Sequence, residues 1–362
     1  MKNLAPFVLL ILLLPACNKK TRDVAWERTY GAGEANYVKV TSDSGLIACG
    51  MSAGKPYLIR LDRNKKTKID LSPELSGRFT SSFYDTSGYI VAGSSGGKML
   101  LMRYSITGKK LWEKTLNPGF TIDRTQLIQI GSNNYLAVGS ADPDTIYSGQ
   151  TGIAFISVDS TGQVLKEQNY LNGFFLTANE ASVDNSGNIY LALTRREAGA
   201  EPRASVARFN NSFQKIWETE LANNPAFGAA ALAVIDEGGG NLFIGGRTEL
   251  PQDGGGTINN SFVASVSVSG ALNWKKYPEI ANSAAALLIT SAGELTVLNS
   301  NCYFLNKLDN ASGSDGGRTR MFDECDPKTT DAFAFDFDED INGDLVVAGS
   351  LNGSFYLAVK SL

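Results

Sequence analysis

The chain has 362 residues, with 33 Lys and Arg against 37 Asp and Glu for a net charge of −4, 43% hydrophobic residues, 37 glycines and no histidine. That is a turn-rich globular composition, and its weak acidity, with no basic run longer than Lys19-Lys20, excludes the electrostatic footprint of a nucleic-acid binder. Without histidine, Ser-His-Asp and Cys-His nucleophile systems, His-ligated metals and His general bases are excluded, which leaves carboxylate, Lys, Tyr or Cys chemistry to any enzymatic reading.

At the N-terminus, Lys2 leads into an apolar run from Leu4 to Leu14 and then Leu14-Pro15-Ala16-Cys17. Crossing a bilayer takes about 20 apolar residues in a helix, so this shorter run reads as the core of a signal peptide. Leu-Pro-Ala-Cys resembles the lipobox of bacterial lipoproteins, in which the Cys is acylated and becomes the first residue of the mature chain. The resemblance implies lipidation of Cys17, with palmitate among the acyl chains, and stable attachment to a membrane. A plain secretory signal cut near Ala16 is the alternative. The expected organisation is a signal peptide over 1–16, a lipidated Cys and polar tether over 17–23, and one folded domain over 24–362. Losing residues 1–16 removes one charge, that of Lys2, and leaves −5.

From residue 24 onward the chain repeats. An apolar segment, ending in Gly in five of its seven copies, recurs as Leu46–Gly50, Tyr89–Gly93, Tyr135–Gly139, Ile189–Leu193, Leu242–Gly246, Glu294–Leu298 and Leu345–Gly349, at a spacing of 43 to 54 residues. Each is followed by a second apolar segment, as in Tyr57–Asp62, Leu100–Tyr104, Ala154–Asp159, Ser205–Phe209, Phe262–Val266, Tyr303–Asp309 and Phe355–Val359. Several are then followed by a segment carrying Trp: Leu111-Trp112-Glu113, Ile216-Trp217-Glu218 and Leu272-Asn273-Trp274. This is the period of a four-stranded propeller blade. The last repeat ends after its third strand, and Ala25-Trp26-Glu27 supplies an outer strand with no blade before it. The expected fold is therefore all-β, a seven-bladed β-propeller of four-stranded antiparallel blades whose ring is closed by the N-terminal strand joining the last blade, leaving no open edge. These features resemble the β-propeller repeat lipoproteins of bacteria and, more loosely, quinoprotein-like propellers. The resemblance implies a fold and no particular activity. The tryptophans are expected to wedge between neighbouring blades.

Asp338-Glu339-Asp340-Ile341-Asn342-Gly343-Asp344 opens like a calcium loop, but its twelfth position is Gly349 where a carboxylate is needed. A hairpin turn like Asp43-Ser44-Gly45 and Asp184–Gly187 is the better reading, with adventitious cation binding the alternative and no metal site assigned. Cys49 reads as a buried core residue. In the sixth repeat, a hairpin about Asn310 to Gly317 that pairs Asp309 with Arg318 also sets Cys302 opposite Cys325, a disulfide candidate. Gly238–Gly240 and Gly254–Gly256 read as turns, since neither ends in Gly-Lys-Ser/Thr.

Function in this architecture is expected on the longest connections: Ser140 to Gly152, Thr194 to Ala204 and Arg247 to Ser261, on adjacent repeats. Their candidate ligand-binding residues are Asp142, Asp144, Tyr147, Arg195, Arg196, Arg203 and Arg247, with Phe174 and Phe175 on a neighbouring turn. Arg, carboxylate and aromatic groups together suit an envelope protein or a glycan. The expectation is a monomeric, lipid-anchored binding or scaffolding module of the bacterial cell envelope, facing the periplasm or the cell surface, with no cofactor, no catalytic residue and no nucleic-acid partner. The alternative is a carbohydrate-active hydrolase or lyase using carboxylates at the axial channel. There the innermost strands are mostly small residues with Asp123, Arg124, Glu180, Asp331 and Asp336 as charged exceptions, and an enzyme would bring Asp123, Glu180 and Asp331 together.

Overall fold

A computed structural model describes residues 24–141, 151–171, 175–197, 199–221, 228–251, 257–278, 283–300, 304–320 and 331–360, and its regular elements are all strands. In chain order these begin with β1 (Val24–Val40), β2 (Leu46–Ser52), β3 (Lys55–Leu61) and β4 (Thr67–Leu71). Next come β5 (Arg78–Asp85), β6 (Gly88–Ser95), β7 (Lys98–Ser105) and β8 (Lys110–Leu116), then β9 (Arg124–Gly131), β10 (Asn134–Ser140), β11 (Ile153–Asp159) and β12 (Val164–Tyr170). They are followed by β13 (Phe175–Val183), β14 (Ile189–Arg196), β15 (Arg203–Phe209) and β16 (Lys215–Glu220), and by β17 (Ala229–Asp236), β18 (Asn241–Pro251), β19 (Thr257–Ser267) and β20 (Leu272–Lys276). The last are β21 (Ala284–Ile289), β22 (Leu295–Asn299), β23 (Phe304–Leu308), β24 (Asp315–Arg320), β25 (Ala332–Glu339), β26 (Leu345–Leu351) and β27 (Ser354–Lys360). β5–β8, β9–β12, β13–β16, β17–β20 and β21–β24 are four-stranded antiparallel sheets, and the rest form one seven-stranded sheet in the order β25-β26-β27-β1-β2-β3-β4.

β1 serves two neighbours in succession. Val24 to Ala32 pair with β27, and Gly33 to Val40 pair with β2. The first half ends at Ala32 beside the β26–β27 turn and the second starts at Gly33 beside the β2–β3 turn and returns to Leu46, so the chain reverses between the halves, at Gly31 and Gly33, whose φ values of 77° and 146° lie in the region that favours glycine. The first strands pack on one another in sequence: β5 touches β1 and β9, β13 touches β9 and β17, and β21 touches β17 and β25, while β25 also touches β1.

Second and third strands are buried on both faces, as in Leu46 to Cys49 and Leu345 to Ala348, because each sheet lies between two others. Apolar layers fill the spaces between sheets: Leu136, Val138 and Phe155 pack with Leu176, Leu191 and Phe209, and Tyr190, Ala192 and Val206 pack with Leu242, Ile244 and Phe262. Outer strands have one wet face, and β12 alternates between half-buried and exposed along its whole length. Within each sheet the turns that join its first two and its last two strands share one end, the turn face. The second-to-third-strand connections occupy the other end, the loop face.

Tryptophans on the outer strands bind the turn of the next sheet. Trp112, Trp217 and Trp274 donate their indole N–H to the carbonyls of Ser160, Val268 and Asn310 at 3.0, 3.0 and 3.2 Å. Beneath the rings lie Gly162, Gly270 and Gly313, all at positive φ. Between β12 and the β15–β16 turn the parts are exchanged: Phe213 occupies the left-handed position at φ 63° and Lys166 sits 4.4 Å over its ring.

Two expectations are corrected. In the β23–β24 hairpin, Asn306 rather than Asp309 is opposite Arg318, because the turn closes tightly from Asp309 to Ser314 and a register shift follows Lys307. The register that set Cys302 opposite Cys325 therefore does not hold, and both cysteines lie outside the described residues. The Arg247 to Ser261 connection is largely ladder, since β18 and β19 pair from Asn241↔Ser267 out to Pro251↔Thr257.

Candidate functional site

The first strand of each sheet uses one edge for its own ladder, and its other edge must be satisfied from elsewhere. Side chains of the neighbouring first strand do this. Asn36 donates to Phe79 O at 3.3 Å, Thr80 to Thr125 O at 2.7 Å, Gln126 to Asn179 O at 3.0 Å and Asn179 to Ala231 O at 2.6 Å. At two joints the acceptor is a carboxylate. Glu180 Oε2 accepts Val234 N–H at 2.9 Å, and Asp336 Oδ2 accepts Val38 N–H at 2.9 Å. Asp338 continues the second joint, taking Val40 N–H at 2.7 Å and Lys39 Nζ at 3.0 Å.

A shared backbone feature sets these positions. β1, β5, β13, β17, β21 and β25 each carry a register shift at the same rung, between Ala35 and Tyr37, Phe79 and Ser81, Ala178 and Glu180, Ala231 and Ala233, Ala284 and Ala286, and Ala334 and Asp336. Such bulges re-aim the residue that follows. The residues after the shift, Tyr37, Ser81, Glu180, Ala233, Ala286 and Asp336, thus hold equivalent places, and Gln126 on β9 pairs at the same rung without a shift. Carboxylates, Tyr and Gln fall on β1, β9, β13 and β25, while β17 and β21 supply Ala233 and Ala286.

Glu180, Asp336 and Tyr37 remain partly accessible although protein surrounds them. Burial, aided by the charge of Asp336, raises the Glu180 carboxyl to about 8, against the opposing Val234 hydrogen bond and the charges of Arg124 and Lys39. Burial likewise lifts Asp336 to about 7; the Val38 bond and Lys39 oppose this and Asp338 adds to it. Tyr37 is held well above its ordinary value by burial and then by Asp336, Cys49, Asp338 and Glu180. Burial thus raises both carboxyls toward neutrality, and each feels its environment's charges, with Asp336 acting on Glu180; a carboxyl raised in this way is suited to general acid or base work.

Of the charged residues singled out in the sequence, Glu180, Asp336 and Arg124 share this environment. Asp331 does not: it is exposed, and its carbonyl accepts Asn352 N–H at 2.7 Å. Asp336 is the acid coupled to Glu180. Tyr37 and Gln126 were not singled out, although aligning the repeats on the residue opposite Cys49 and Val138 would have found them.

The loop-face candidates are partly visible. Arg195 lies 3.7 Å from both Glu197 and Glu218, and Arg203 lies 3.6 Å from Glu220, so these cations sit in a carboxylate network on the β13–β16 sheet. Arg196 donates to Ala200 O at 3.2 Å. Phe175 begins β13 opposite Arg196, and Arg247 lies in β18 opposite Ser261. Asp142, Asp144, Tyr147, Phe174 and Cys17 lie outside the described residues. In the calcium-like segment Asp340 Oδ1 accepts the N–H groups of Asn342 and Asp344, which holds the turn, while Asp336 and Asp338 lie in β25.

No family model matches the chain, and no curated protein matches it. Solved structures do. The Neurospora crassa Pan2 WD40 domain aligns with a TM-score of 0.60 at 12% identity over 93% of this chain and 96% of that one. A streptogramin B lyase gives 0.60 at 12% over 93% and 98%. Virginiamycin B lyase from Staphylococcus aureus gives 0.61 at 12% over 93% and 99%. At such identities the likeness concerns architecture alone, and with the succession of four-stranded antiparallel sheets it establishes an all-β, propeller-like fold.

Proposed function

We propose that the chain is a seven-bladed propeller closed by its N-terminal strand, anchored in a bacterial envelope through lipid on Cys17, that binds an envelope protein or glycan over its loop face. The blade count is supported by β1: divided at its reversal, it completes one four-stranded unit with β25–β27 and another with β2–β4.

The observation that carries the binding reading is the β18–β19 hairpin. Its rungs Leu250↔Ile258 and Pro251↔Thr257 lie beyond the last ladder contact on the β17 side, Glu249 N–H to Gly228 O at 2.8 Å, and beyond the last pairing of β20, at Val263. A ribbon that outruns its sheet, beside the two other lengthened connections, is a feature on which a partner can dock. The test is capture of solubilised envelope proteins and glycans by the full chain and by a variant in which Asn-Gly joins Thr248 to Asn260. Capture by the first alone supports the reading, and equal capture or none by either opposes it.

Glu180 and Asp336 favour a second reading, carboxylate-based cleavage of a polysaccharide by hydrolysis or elimination. Two of the similar solved structures are lyases by name, so this architecture accommodates enzymes. Turnover of envelope polysaccharide that is lost in Glu180→Gln and in Asp336→Asn supports it; turnover unchanged by both substitutions removes it.

A further inference from the structure

The point at which the N-terminal segment meets the fold fixes which face a lipid anchor presents to its membrane. Val24 pairs with Lys360, which also pairs with Leu345, so β1 begins at the turn face, level with the Asp340–Asp344 turn. Trp26 packs on the cluster that includes Leu61, which places this start beside the neighbouring Asp62–Lys66 turn. Residues 18–23 reach at most about 20 Å even when fully extended. The tether of a Cys17 anchor therefore leaves the fold at the turn face, which favours that face toward the bilayer.

Charge on that face is uneven. The turns joining third and fourth strands carry Arg63, Lys65 and Lys66 in the β3–β4 turn and Lys109 in the β7–β8 turn. The equivalent turns over 159–163, 210–214, 267–271 and 309–314 carry no Lys or Arg. Arg63, Lys66 and Lys109 are exposed. The one carboxylate in the β3–β4 and β7–β8 turns, Asp62, is occupied within its turn, accepting the amides of Asn64 and Lys66 at 2.9 and 3.0 Å with Lys68 at 3.3 Å. Beside Lys109, Ile106 is 51% exposed, whereas the turn level with Val24 carries Asp340 and Asp344 and lies outside this basic region. Basic groups around a protruding aliphatic side chain are the combination that suits a lipid headgroup region.

We propose that the turn face of β3–β4 and β7–β8 rests on anionic phospholipid, through Arg63, Lys66, Lys109 and Ile106, so that the loop face points away from the membrane. The inference rests on the lipid-anchor reading, and it places the proposed binding face toward soluble partners.

The test uses the full chain in vesicles of phosphatidylglycerol and phosphatidylethanolamine. Thr107→Cys on the turn face and Lys98→Cys on the loop face are labelled with a membrane-impermeant maleimide before and after detergent, above the background of the parent chain. The expected result is at least tenfold protection at 107, relieved by detergent, and none at 98. Arg63→Gln/Lys66→Gln/Lys109→Gln should abolish the protection while the chain still sediments with vesicles through Cys17, since each cation near an anionic surface is worth about fivefold in partitioning. Equal labelling of 107 and 98 in a sedimenting chain overturns the face assignment and leaves the anchor intact. A chain that does not sediment, or that sediments equally well as Cys17→Ala, overturns the anchor and this inference with it.

Discussion

Trp112 lies flat over Gly162: a Cβ placed on that glycine would sit 2.8 Å from Cδ2 of the indole, whose N–H reaches Ser160 O at 3.0 Å. The pair joins the outer strand of one sheet to the turn of the next, and only a residue without a side chain leaves room for the ring. Gly162 also has φ +84°, so Gly162→Ala meets both a clash and backbone strain. We expect a loss of about 2–4 kcal/mol in urea unfolding. Gly238→Ala, at φ +76° with open space around it, carries the strain alone and should lose about 1–2 kcal/mol. Equal losses at the two sites would mean that the ring contributes nothing.

The exchanged pair between β12 and the β15–β16 turn makes a sharper test. Lys166→Trp alone should clash with Phe213, and Phe213→Gly alone should remove a buried ring. Together they recreate the Trp-over-Gly arrangement. The double variant is expected to be more stable than the sum of the single changes by at least about 1 kcal/mol, read as the coupling energy of a double-mutant cycle.

Arg103, 3% exposed, donates to Asp85 at 2.8 Å, and Tyr135 donates to the same carboxylate at 2.6 Å. Burial pushes Asp85 upward, but hydrogen bonds from Ser87, Tyr135 and Arg103 outweigh it and hold the carboxyl well below the usual range. A carboxylate lowered on folding gives stability that is present above its unfolded value of about 3.9 and lost as pH falls toward the folded value. Acid unfolding of the wild type should therefore begin below about pH 4. Asp85→Ala, which leaves the buried guanidinium uncompensated, should lose about 3–5 kcal/mol at neutral pH.

Glu180 and Asp336 carry the opposite sign. Their folded values, about 8 and about 7, lie above those of unfolded carboxylates, so folding favours the protonated forms. The contribution is complete below about pH 4 and declines as pH rises through 7 and 8. Thermal melts should show a fall in Tm between pH 5 and 8 that is reduced in Glu180→Gln and reduced further in Glu180→Gln/Asp336→Asn. A melt profile identical in wild type and double variant would show that these carboxyls do not titrate in this range.

Pairing of β1 with β27 predicts that a chain beginning at Gly33 loses the partner of an otherwise exposed edge. We expect it to aggregate or to unfold at a markedly lower urea concentration than the chain beginning at Asn18.

Local chemistry made much of this protein legible. Alternation, apolar runs such as Tyr89–Gly93, and Asp-to-Gly turns report on strands and hairpins one element at a time, and the recurring Trp marks outer strands, so the repeat and the pairing of Trp26 with the last strands could be read directly. The candidate site was legible only in part. Glu180 and Asp336 stood out as charges among small residues, yet their partners, Val234 and Val38, lie 54 and 298 residues away in sequence. A one-residue register shift decides which side chain follows the bulge, and whether a carboxyl is buried depends on the sheets on either side. Register in the β23–β24 hairpin and the continuation of β18 and β19 past their sheet were also settled by pairing, because turn-forming residues permit more than one closure. What the sequence determined by itself was the kind of strand at each point. Which of those strands share a joint, and which acids are buried where they meet, only the tertiary structure decided, because desolvation and cross-sheet hydrogen bonding are properties of the packed whole.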